Sequence, residues 1–199
     1  MLYLLAQGTA DKAAHDAGIF EVSELSARLA YAMMCLTLCW GALTSMGWVG
    51  RATGRQALRS GHIFLVALTL AFAAVHTSSL LMLQLSPFTP ARLFIPFYGD
   101  NLLRHSLGIL AVECLLAVLV ATGMRRFMTA QRWLWLHRLA YPAFGFAVLH
   151  ALFSAMAAGH MAILWLGGIS LLIPTLVVIA IRFMPAKALA TTGLIEDAP

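Results

Sequence analysis

Apolar residues in this chain fall into five long blocks, about Leu25 to Trp48, His62 to Leu83, His105 to Met124, Leu134 to Ala157 and Met161 to Ile181. A helix needs roughly 20 apolar residues to cross a bilayer, and each block is about that long. In hydrocarbon a backbone must satisfy its own hydrogen bonds, which helices do within a single segment. The pattern therefore predicts an all-α integral membrane bundle of about five transmembrane helices. Residues 1–23 read as a polar N-terminal arm on the outer surface, with Ser23 or Ser26 capping the first span. Residues 24–184 make the transmembrane domain and 185–199 a cytoplasmic tail. The link Ser86 to Arg104 interleaves Pro87, Pro90 and Pro96 with Phe88, Phe94, Phe97 and Tyr98, a composition suited to an outer loop in the membrane interface or a lid over a cofactor. Bends are expected at Pro142 in the fourth span and at Gly167, Gly168 and Pro174 in the fifth.

Composition sharpens this picture. Of the 199 residues, 61% are hydrophobic and 11% charged, and the mean hydropathy is +0.86, which excludes an ordinary soluble domain. The remainder is too short for a flavin or nicotinamide domain, and no glycine-rich phosphate loop follows a strand-like run. The net charge of +5 is read better by its distribution than as a nucleic-acid signal, and nucleic acid is not expected as a partner. Arg51, Arg55 and Arg59, then Arg125, Arg126, Arg132 and Arg138, then Arg182 and Lys187 share one side. Lys12, Arg28, Arg92 and Arg104 share the other with Asp11, Asp16, Glu21, Glu24 and Asp100. The positive-inside rule then puts the N-terminus outside and the C-terminus in the cytoplasm of a multi-pass inner or plasma membrane protein. The opening MLYLLAQ is too short an apolar run, and lacks the basic start, for a signal peptide. Cys35, Cys39 and Cys114 fall within spans, as small apolar side chains do. No C-x-x-C-H occurs, so covalent haem is not expected.

Four histidines change the reading from architecture to chemistry. His62 and His76 lie 14 apart on the second span, and His137 and His150 lie 13 apart on the fourth. These spans run in the same direction, so the two pairs match in depth, with separations of about 20 Å at 1.5 Å per residue. That spacing suits one ligand pair in each half of the bilayer. Neutral imidazole is a strong axial ligand of haem iron, and two imidazoles close the coordination sphere in favour of electron transfer. Fourteen residues return to nearly the same helix face, whereas thirteen fall about 140° short of four turns. A kink or change of winding near Pro142 is expected to re-aim one ring.

The run Trp133-Leu-Trp-Leu-His137-Arg138-Leu-Ala-Tyr141, the element Ser26-Ala-Arg28 and the histidine spacing resemble the ferric reductase-like transmembrane domain. That domain is the haem-carrying core of NADPH oxidases, ferric reductases and bacterial MsrQ-type proteins, and the resemblance covers about residues 24 to 182. It implies two haem b groups, the inner held by His62 with His137 and the outer by His76 with His150. It implies no flavin or NAD domain in this chain, so the donor is a separate cytoplasmic flavoprotein or quinol. The acceptor is ferric iron, oxygen or an outer redox protein such as a sulfoxide reductase. The chain would then be the electron-transfer subunit of a membrane oxidoreductase.

Haem propionates need cations. Arg59, Arg132 and Arg138 suit the inner haem; Arg28, Arg92 and Arg104 suit the outer one. Glu113, well inside the third span, needs a partner or a proton, and Arg28 is the expected partner by depth. His15, His105 and His160 belong to the outer side, where two readings stand: ligands of a metal substrate or, favoured because no tight ligand spacing occurs, interfacial histidines. Two other functions compete: a cytochrome b anchor passing electrons from an outer dehydrogenase to quinone, and a haem-free transporter whose histidines relay protons.

Overall fold

The computed structural model describes residues 2–46, 54–86, 88–99, 102–185 and 188, with the backbone alone at 2–6, 55, 102 and 163–165. The expected turn around Arg51, as well as Pro87, Asp100, Lys187 and the end of the tail, lie outside the described residues. All described secondary structure is helical. The order is α1 (Leu2–Met46), α2 (Arg55–Ser79) with a tight turn Leu80–Met82, α3 (Pro90–Phe94) and α4 (Leu102–Gly123). A turn Arg125–Phe127 leads to α5 (Ala130–His137), α6 (Ala140–Ala158), α7 (Met161–Ile163), a widened turn Leu164–Gly168 and α8 (Ile169–Phe183).

Among the described residues five helical stretches are long and apolar enough to cross a membrane: Gln7–Met46, Gln56–Met82, Leu103–Gly123, Ala130–Ala158 and Leu166–Phe183. They match the apolar blocks, with one correction. The N-terminal arm is the first half of a single helix that runs unbroken into the first span, and Ser23 and Ser26 sit inside it rather than capping it. Alanines at positions 6, 10, 13, 14 and 17 favour that helix. Ser26 Oγ donates back to Val22 O at 2.7 Å. The inward face of this half is polar, with Asp16, Ser23 and Ser26 buried. At 40 residues the stretch is about twice what a bilayer needs, and its acidic half, up to Glu24, lies before the apolar block.

The described chain divides into two contact units, residues 1–31 with 70–161 and residues 32–69 with 162–199. In the first, α4 packs chiefly on α6. The buried residues there include Ser106, Ala111 and Ala121 of α4 and Ala143 of α6. Small side chains let membrane helices approach closely. The expected break in the fourth span occurs at Arg138 and Leu139, between α5 and α6. Pro142 explains its position, because a proline ring clashes with the carbonyl four residues back and supplies no N–H to it. That carbonyl belongs to Arg138, and it accepts instead from Tyr141 N–H at 3.0 Å. Gly167 and Gly168 fall in the widened turn, and Pro174 lies inside α8.

In the second unit, Trp40 Nε1–H donates to Leu58 O at 2.8 Å, and the Thr37 and Thr69 hydroxyls meet at 3.1 Å. Cys39 Sγ lies 3.5 Å from Thr175 Oγ1. The three cysteines are free thiols.

Asp16 pins the chain beyond α2. Its carboxylate accepts Gln84 N–H at 2.8 Å and Leu85 N–H at 2.9 Å. These two donors hold its pKa below the ordinary carboxylate value. A group with a depressed pKa in the folded state stabilises fully above its unfolded value, about 3.9, and loses that contribution as pH falls through its folded value. Hydrogen exchange should therefore show Gln84 and Leu85 amides protected at neutral pH and released only as pH falls below the ordinary carboxylate value of about 3.9, through the lowered folded value of Asp16. Asp16→Asn should expose both at neutral pH, and unchanged protection in that variant would refute the role.

Candidate functional site

Two of the four histidines meet within the first unit. His76 lies near the end of α2 and His150 on α6. His76 Nδ1 is 2.9 Å from Ser23 O and 3.0 Å from Ser23 Oγ. His150 Nδ1 is 2.8 Å from Arg104 O. A carbonyl only accepts, so in both rings Nδ1 carries the proton and Nε2 keeps a bare lone pair. This is the usual arrangement of a metal-bound histidine, whose second nitrogen donates to a carbonyl that fixes tautomer and ring orientation.

The two ring centres are 6.2 Å apart with planes at 64°. Metal–imidazole nitrogen bonds of about 2 Å, with each nitrogen about 1.1 Å from its ring centre given C–N bonds near 1.33 Å, predict about 6.3 Å for two rings on one metal. That spacing is open to an imidazole pair on one metal and also lies within the roughly 4.5–7 Å of an edge-to-face ring contact, which is how the two rings meet. Gly108 on α4 makes room for His150: an added Cβ there would stand 3.0 Å from Cε1 and from Nδ1.

Around this pair the expected basic residues take up distinct roles. Arg104 supplies its backbone oxygen to His150, and its Nη2 lies 3.4 Å from His105 Nε2. Phe88 packs edge-on against His105 at 5.3 Å. Arg28 pairs with Glu24, one turn away, and His160 Nδ1 meets the same carboxylate at 2.7 Å. The expected Arg28 to Glu113 contact is therefore replaced. A partner four residues along the same helix face is nearer than one on another helix, and Glu113 is exposed on α4. Thr89 caps α3 by accepting Arg92 N–H at 3.4 Å. Phe94 at the end of α3, and Phe97 and Tyr98 beyond it, are exposed, as suits an interfacial loop. His15 lies 3.3 Å from Asp16.

His62 belongs to the second unit and His137 to the first. His62 rests against α1 at Gly41, where an added Cβ would stand 3.1 Å from its Cε1. His137 ends α5, with its ring stacked on Trp133 at 4.9 Å and 19°. The Arg125 guanidinium lies 4.4 Å from the Trp133 ring centre. Trp133 Nε1–H is buried and has no hydrogen-bond partner among the described residues. Of the cations expected here, Arg59, Arg132 and Arg138 are exposed, and Arg138 lies over Trp135 at 5.4 Å. Sequence reasoning missed Arg125 and Trp133 as a unit, although Trp133 and His137 are four apart, a spacing that shares a helix face.

Among the described residues no group of three or more His, Cys, Asp or Glu side chains could hold a metal ion. The chain matches no family model, no curated protein and no solved structure.

Gly108→Ala should force His150 to shift and lower the thermal midpoint in detergent, at a cost of about 1–3 kcal/mol. Gly145→Ala in α6, where an added Cβ meets nothing within 4 Å, should be neutral or stabilise by up to about 1 kcal/mol. Equal effects at the two sites would show that His150 does not depend on the glycine.

Proposed function

We propose that this chain is a transmembrane di-haem b cytochrome, the electron-transfer subunit of a membrane oxidoreductase. The observation that carries the reading is the His76 and His150 pair, with ring centres 6.2 Å apart and each Nδ1 held on a backbone carbonyl. The residues fit a haem on three counts. Both Nε2 lone pairs are free to bind iron, Gly108 leaves the space His150 needs, and the buried Trp133 N–H offers a donor that a haem carboxylate would complete. His76 and His150 hold one haem. The second is assigned to His62 and His137 by their spacing in the sequence.

Haem supplies one-electron chemistry, and two imidazole ligands would favour electron transfer over oxygen binding. The chain's own contribution is to orient the ligands, exclude water and set potentials. With arginines concentrated on one side, the positive-inside rule puts His62 and His137 towards the cytoplasm of an inner or plasma membrane. A cytoplasmic flavoprotein or quinol then donates at that side, where basic loops suit an acidic partner. Ferric iron, oxygen or an outer redox protein accepts at the other.

A pyridine haemochrome assay on purified protein should count two haems b per chain. His76→Ala and His150→Ala should each remove one of the two, and the same one by dithionite-reduced spectrum. A purified protein without haem overturns the proposal and leaves the proton-relay transporter. One haem per wild-type chain overturns the two-haem path.

A further inference from the structure

The histidine at the end of α5 carries a feature that ligation alone does not require. Thr129 caps α5, and Trp133 and His137 follow on one face, their rings stacked at 4.9 Å and 19°. Arg125 comes from the turn before α5 and lies 4.4 Å from the Trp133 ring centre. Neighbouring arginines behave differently. Arg126 lies over Phe127, the next residue in sequence, and Arg138 over Trp135, as interfacial arginines do on the nearest aromatic ring. Arg125 instead reaches across eight residues to the aromatic ring stacked on His137.

We infer that Arg125, acting through Trp133, is a positioning and potential-setting residue for the haem that His137 holds, an inference that rests on the di-haem reading above. The indole fixes the plane of the imidazole, and the guanidinium holds a permanent positive charge within about 10 Å of it. One-electron reduction lowers the positive charge at the iron by one and breaks no bond. A nearby fixed cation therefore favours the reduced form and raises the midpoint potential. A unit charge at about 10 Å, in a medium of effective dielectric constant about 20, shifts such an equilibrium by about tenfold. For a one-electron couple that is about 59 mV.

The test is a redox titration of the full-length protein in detergent, followed by visible absorbance. Arg125→Gln should lower one of the two midpoints by about 59 mV at unchanged haem content, and Arg125→Lys, which keeps the charge, should restore most of it. Trp133→Leu should alter the low-spin electron paramagnetic resonance signal of that same haem, because the imidazole plane is no longer held. Unchanged midpoints in Arg125→Gln overturn the inference while the haem count upholds the cytochrome. An equal shift in Arg125→Gln and Arg125→Lys also overturns it, since a structural disturbance rather than charge would be the cause. Two haems retained in His137→Ala would overturn the assignment of His137 and this inference with it.

Discussion

Hydrocarbon offers no hydrogen-bond partner, so each polar group placed in a span must be answered from within the chain. The hydroxyls meet this demand locally. Thr37, Thr69, Thr77, Thr122 and Thr175 all donate to the carbonyl four residues back. A histidine cannot fold back in that way, and His76 and His150 find carbonyls on other helices, Ser23 O and Arg104 O. Satisfying one nitrogen in this manner has a chemical result, because it commits the other to the role of acceptor. The requirement that makes the membrane helices stable is the same one that leaves each of these imidazoles with Nε2 as an acceptor.

The break between α5 and α6 shows how a local rule serves this arrangement. On an ideal helix His137 and His150 would face different directions. Pro142 removes the hydrogen bond that would have carried the helix through Arg138, and the chain re-aims there. α5 thus becomes a short helix of its own, with its own threonine cap and its own aromatic stack. α6 starts afresh and carries His150 to the α4 backbone at Gly108.

Much of the architecture was legible in the order of residues. Five apolar blocks became five helices long and apolar enough to cross a membrane. The proline was a sound guide to the bend, since its missing N–H acts within four residues. The caps at Ser23 and Ser26 were misjudged because a short hydroxyl before an apolar block reads as a helix start, whereas both lie buried inside α1, Ser26 on the Val22 carbonyl. Arg28 was misassigned because depth in a membrane says nothing about which helix face a side chain occupies. Arg125 carries no signal in the sequence beyond being one of several arginines on its side.

The sequence by itself determined what depends on composition and on short spacings: the helical class, the spans, the candidate histidines and the place of the kink. These follow from transfer of apolar residues out of water and from geometry within a few turns of one helix. Tertiary structure alone decided which nitrogen of His76 and His150 is tied to a carbonyl and how far apart their rings stand. Each of these depends on residues distant in the chain, or on the rotation of one helix against another, and no local pattern encodes it.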